Sequence, residues 1–204
     1  MTQPQPLAPE LERQRREYAQ LLRAGMLSPY SLPAVGSAVE EAVLERAWAR
    51  TRNPFESVGS RIYVLSVAGT HGRVKVGTAG SVRGRIATHL NEYHCNGHGL
   101  IDAWISNSLL NAAPMERAIH KLLKINHQPS YRKEEYPDGD FERICALVAE
   151  LDAKHSLTEE QVQFHEWEQQ ERMREGGEEV LREIERQVGR TTGMGKPGET
   201  ASSI

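Results

Sequence analysis

RIYVLSVAGTHGRVKVGTAGSVRGRIATHLNEYHCNGH, residues Arg61 to His98, reads as a hairpin of two short strands followed at once by a short helix. Arg61 to Val67 is rich in Ile, Val, Leu and Tyr and alternates as a half-buried strand does. Ala68 to Gly72 supplies a loop with two glycines, and Arg73 to Gly77 returns as the second strand. Gly77-Thr78-Ala79-Gly80 then breaks the strand. Ser81 can cap a helix that carries Val82, Ile86 and Leu90 along one stripe. Arg85 and His89 are four apart and share a helical face. Between Arg61 and Leu90 there are five Lys or Arg residues (61, 73, 75, 83, 85) and no Asp or Glu. An uninterrupted positive field over a hairpin and helix suits a polyanion such as nucleic acid.

These residues resemble the GIY-YIG endonuclease superfamily. Its first motif appears as Arg61-Ile62-Tyr63, with the Ile-Tyr kept and the leading glycine lost. The second appears as Lys75-Val76-Gly77, with lysine where tyrosine is usual. The family's helix arginine falls on Arg85, its histidine one turn later on His89, and its acidic metal ligand on Glu116. A Lys-aliphatic-Gly motif with Glu116-Arg-Ala-Ile-His120 and Glu134-Glu-Tyr-Pro-Asp-Gly-Asp-Phe141 looks like the branch widespread in phage and bacterial proteins. The resemblance covers roughly residues 58 to 145.

Phosphodiester hydrolysis needs an activated water, relief of charge on the pentacovalent phosphate, and help for the leaving oxygen. The resemblance places Tyr63 where a tyrosine helps activate the water. It makes Glu116 the ligand of one Mg²⁺ or Mn²⁺, a hard cation satisfied by one carboxylate plus waters and substrate oxygens. Lys75 could hold the water, favour the ionised form of Tyr63, or bind phosphate. The planar fork of Arg85 matches two phosphate oxygens. His89 could donate to the phosphate or shuttle a proton near neutral pH. Arg73, Arg83, His98 and His120 complete the set as substrate-binding residues. His94, Cys95 and His98, with Cys145 or His127, raise a zinc reading, but the spacing is irregular and no Cys-x-x-Cys occurs.

Net charge is −3, which alone argues against a nucleic-acid partner. Dividing the chain reverses that, because residues 58–153 carry 11 basic and 10 acidic side chains while residues 154–204 carry 7 and 11. Two cysteines are too few for a disulfide framework. No stretch approaches the apolar length of a membrane span, so a soluble, cytoplasmic protein is expected.

Three regions are expected: an N-terminal helical extension over 1–57, a nuclease-like domain over 58–153, and a charged helical extension with a disordered tail over 154–204. Residues 1–9 are Pro- and Gln-rich and read as disordered. Glu10 to Ala24 reads as a helix, Met26 to Gly36 as a connector, and Ser37 with Glu40 as a capping box opening a helix to about Arg50. Leu100 to Ser106 looks like a third strand, Asn111 like the cap of the helix bearing Glu116, and 126–140 like a polar loop. Phe141 to Ala153 follows as a helix. Thr158 and Gln161 resemble a capping box, Gly176-Gly177 interrupts the helix it opens, and Val180, Leu181, Ile184 and Val188 form a narrow stripe. The tail from Gly189 reads as disordered.

The expected fold is α+β: a small three-stranded antiparallel sheet flanked by helices, with added N- and C-terminal helices. The expected function is a metal-dependent DNA endonuclease or nickase. Two rivals stand beside it: a non-catalytic DNA-binding regulatory module on the same fold, and an interaction protein that works through its terminal helices.

Overall fold

In the computed structural model, which describes residues 6–51, 59–126, 135–137 and 141–192, the β-branched run Arg61–Ala68 forms the central strand β1. Arg73–Ala79 (β2) returns antiparallel beside it, with Tyr63 opposite Gly77 and Leu65 opposite Lys75. Gly99–Ile105 (β3) pairs with the other edge of β1, also antiparallel. Glu135–Pro137 (β4) adds to β2, giving one four-stranded sheet in the order β3-β1-β2-β4. The sheet therefore has one strand more than the three expected. The extra strand lies inside the stretch read as a polar loop, and its Glu135 and Tyr136 are both buried. A polar sequence is no bar to a strand whose charged side chain finds buried partners.

Alternation in β1 and β2 sends side chains to two separate cores. Tyr63, Leu65 and Val67 face a core completed by helices Pro9–Arg23 (α1), Leu32–Ala49 (α2) and Val82–Cys95 (α3). Ile62, Val64, Val74 and Val76 face the other side, against Ala113–Asn126 (α4) and Phe141–His155 (α5). The N-terminal helices thus cover one face of the sheet, with Tyr18, Leu22, Leu32, Val43 and Trp48 buried there. Glu40 is buried as well, and it caps nothing. Its carboxylate accepts from the Tyr18 hydroxyl and the Leu100 amide, both at 3.0 Å, and lies 3.0 Å from His94 Nε2. This network ties α1, α2, α3 and β3 together.

Local signals place several boundaries well. Asn111 accepts from the Ala113 amide at the start of α4, and Pro114 falls in its first turn, where no donor is required. Thr158 and Gln161 bond reciprocally, amide to side chain, at 2.8 and 3.2 Å. They open Glu159–Thr192 (α6). Several boundaries differ from expectation. Strand β2 does not break at Gly77 but runs on to Ala79, because Gly77, Thr78 and Ala79 stay paired with Tyr63, Ile62 and Arg61. Helix α1 begins at Pro9, the last residue of the stretch read as disordered. Helix α2 begins at Leu32, inside the segment read as a connector, because Pro33 falls at its first positions and is tolerated there. Helix α6 runs through Gly176 and Gly177 without interruption, and past Gly189 to Thr192. The residues divide into two units, Met1–Val162 and Gln163–Ile204. Residues 1–5 and 193–204, read as disordered, and His127 and Glu134 lie outside the described residues.

Candidate active site

On the face of the sheet covered by α3, Tyr63 reaches up to the helix and its hydroxyl lies 3.0 Å from His89 Nε2. Glycine at 77 is what makes this possible. A Cβ there would come within 2.4 Å of Tyr63 Oη, so the ring lies directly over the second motif's glycine. His89 Nδ1 points towards Glu92 at 3.8 Å. A neutral imidazole with its proton on Nδ1 presents a lone pair at Nε2, so the tyrosine hydroxyl donates and the imidazole accepts. Burial holds His89 below its ordinary value, helped by the positive charges of Lys75 and Arg85. The neutral form is therefore the resting one near pH 7.

The pair is shielded from water. Tyr63 is 1% exposed, Lys75 4% and His89 5%. Lys75 shares their face, as the alternation requires, but it is buried rather than open to a cleft. Arg85 lies one helical turn before His89 and is exposed. Its guanidinium is available to a phosphate.

Glu116 and His120 lie on the opposite face. Thr78, next to Gly77 and pointing the other way, donates its hydroxyl to Glu116 Oε2 at 2.8 Å. His120 Nε2 stands 3.8 Å from Glu116 Oε1. That is too far for a hydrogen bond, and Nε2 is buried with no hydrogen-bond partner among the described residues. His120 Nδ1 bonds the Tyr136 hydroxyl, and the two rings stack with centroids 5.7 Å apart. His120 and then Thr78 hold the Glu116 carboxyl below the usual carboxylate range, against the opposing effect of burial. Glu116 is thus ionised at neutral pH.

Of the five residues assigned to catalysis, Tyr63, Lys75, Arg85 and His89 gather on one face of the sheet and Glu116 stands on the other, the two faces meeting at the Gly77–Thr78 step. Strand β4 pairs with β2 only at Arg73, Val74 and Lys75. Beyond Lys75, among the described residues, that side of β2 carries no partner strand. A ligand reaching both Arg85 and Glu116 would approach around this edge.

The remaining assigned residues have other company. Arg73 donates to Glu135 Oε2 at 3.0 Å and, being always protonated, also donates to His98 Nε2 at 3.1 Å. His98 is held below its ordinary value by burial and then by Arg73. Two residues assigned to substrate are thus bonded to each other. Arg83 stacks over Trp48, its Cζ 4.6 Å from the ring centroid, while Arg61 approaches the same ring at 5.4 Å. Arg61 is buried and donates to the Ser106 carbonyl. Of the five clustered cations, only Arg83 and Arg85 are exposed. Cys145 is buried, Cys95 is exposed, and no cluster of three or more metal-ligating side chains occurs among the described residues.

Glu135 is the residue that sequence reasoning passed over. It is 2% exposed, accepts from Arg73 and from Tyr93 Oη at 3.3 Å, and pairs in register with Lys75. Beside Glu135, burial pushes the Tyr93 phenol far above its usual range. The acidic-aromatic motif around residue 135 was visible in the sequence. Nothing local marked its glutamate as buried.

Residues 60–152 match the model of the T5orf172 domain. No curated protein matches the chain at a significant level, and no solved structure does. No helix among the described residues is long and apolar enough to cross a membrane.

Proposed function

We propose that residues 58–153 act as a metal-dependent endonuclease of the GIY-YIG type, hydrolysing DNA phosphodiester bonds at the edge of β2. The observation that carries this reading is the Tyr63–His89 hydrogen bond, with two cations, Lys75 and Arg85, acting on it. The match of residues 60–152 to the T5orf172 domain supports it. In this reading Tyr63 takes a proton from the attacking water as it passes its own hydroxyl proton to the neutral His89, and Lys75 steadies the negative charge that develops. Arg85 holds two non-bridging phosphate oxygens.

Glu116 suits a hard divalent cation. It is ionised, its side chain is 19% exposed, and one hydrogen bond from Thr78 leaves further lone pairs free. With one carboxylate, the cation would be one that keeps most of its waters, as Mg²⁺ does. Bound there, it would supply charge neutralisation at the phosphate and leaving oxygen.

Purified protein should cut plasmid DNA with Mg²⁺ or Mn²⁺ and not with EDTA. Glu116→Gln should lose cleavage at every metal concentration the wild type can use while keeping DNA binding, since a negative charge near the phosphate is removed. Cleavage at the wild-type rate by Glu116→Gln would remove this carboxylate from the mechanism. The burial of Tyr63, Lys75 and His89 favours a second reading, a DNA-binding module without catalysis. Binding without cutting in any metal would select it.

A further inference from the structure

The C-terminal half of α6 carries an apolar stripe that reads the same in both directions. Met173, Gly177, Val180, Leu181, Ile184 and Val188 fall within an arc of about 100° at 3.6 residues per turn. The spacings between them are four, three, one, three and four residues, a palindrome centred between 180 and 181. Met173 is 78% exposed, Val180 60% and Leu181 61%. Gly177 has open space where its side chain would be. Glycine is a poor helix former, and no atom of this chain requires one there.

We propose that this stripe is an interface with a second copy of the same chain, the two α6 helices lying antiparallel about a two-fold axis between positions 180 and 181. A two-fold contact is isologous, so the surface must be complementary to itself. In this register Val180 opposes the second copy's position 181, Gly177 opposes position 184, and Met173 opposes position 188. Charge selects the antiparallel arrangement. Residues 169–179 carry four acidic and two basic side chains, and residues 182–192 carry three basic and two acidic. Antiparallel pairing lays the negative half on the positive half, whereas parallel pairing stacks like on like. The helix dipoles also oppose one another in this arrangement.

The full chain is the test material, with Cys95→Ser as background because Cys95 is exposed and Cys145 is buried. Sedimentation equilibrium should show a concentration-dependent dimer. Leu181→Glu, which keeps a good helix former, should shift it to monomer with the far-UV circular dichroism unchanged. Under mild oxidation Leu181→Cys should cross-link between chains, because position 181 lies beside its counterpart near the axis. Met173→Cys should not, since the two residues would be about 22 Å apart along the helices at 1.5 Å per residue. A wild type that stays monomeric at several hundred micromolar overturns the proposal. So does an unchanged mass for Leu181→Glu, or cross-linking of Met173→Cys as readily as Leu181→Cys, which would mean a parallel pair.

Discussion

Protonation of a single imidazole should link activity to stability in this chain. His89 is neutral in the folded protein and is held below its ordinary value by burial, Lys75 and Arg85. Its folded value therefore lies below the unfolded one of about 6.5. Protonation then favours unfolding, so the contribution to stability is complete above about pH 6.5 and drains away as pH falls towards the folded value. The urea midpoint of wild type should drop between neutral and mildly acidic pH by more than that of His89→Gln, which carries no titrating ring. If the two variants fall in parallel, His89 is not the group responsible. On the proposed mechanism cleavage has the same sign, with its acid limb below pH 6.5, because only the neutral ring accepts a proton. Tyr63, Arg85 and His89 were singled out by the resemblance of their motifs to the family's, and the helical four-residue step put Arg85 and His89 on one face. The burial of Tyr63 and His89 was not legible. It depends on α3 lying over the sheet, a contact between elements that no local pattern encodes.

At the scale of elements, β2 carries two roles that single substitutions can separate. Gly77 gives the Tyr63 ring its place, so Gly77→Ala should displace the tyrosine and break its bond to His89. Overpacking of this kind costs about 1–3 kcal/mol, and ultraviolet difference spectroscopy of the tyrosine against the wild type would register the displacement. An unchanged spectrum and unchanged stability would show that the ring can yield at no cost. At the other end of the strand, Glu135 on β4 accepts from Arg73 and Tyr93 while almost fully buried. Glu135→Ala leaves a half-buried guanidinium without its carboxylate and should destabilise by about 3 kcal/mol in urea titrations. A loss under 1 kcal/mol would mean that Arg73 turns out to solvent. Strand β4 escaped the sequence reading for a related reason. A three-residue strand beginning with a glutamate has no alternation to detect, and what keeps it in the sheet is a pair of partners far away in the chain. The start of α2 was missed differently. Its two prolines made Met26 to Gly36 read as a connector, yet a proline in the first turn loses no hydrogen bond.

For the whole molecule the question is how much of its basic character faces a polyanion. The sequence shows five cations on the hairpin and α3 with no acid among them. In three dimensions Arg61 and Lys75 are buried, Arg73 is bonded to Glu135 and His98, and only Arg83 and Arg85 remain exposed. Each phosphate contact contributes a slope of about −0.9 to the logarithm of affinity against the logarithm of salt. Two contacts from this cluster amount to a slope near −1.8, or about a tenfold loss for a fourfold rise in salt. Five contacts would give a loss of several hundredfold over the same range. Replacing both Arg83 and Arg85 by Gln should therefore reduce the measured slope by about 1.8. Arg73→Gln should leave the slope unchanged even where it lowers stability. Fluorescence anisotropy of a labelled duplex across a salt series reads both. A slope that also falls by about 0.9 in Arg73→Gln would mean that DNA draws Arg73 away from Glu135. An unchanged slope in the Arg83/Arg85 double variant would place the DNA on another surface altogether, and the edge of β2 would lose its claim to be the active site.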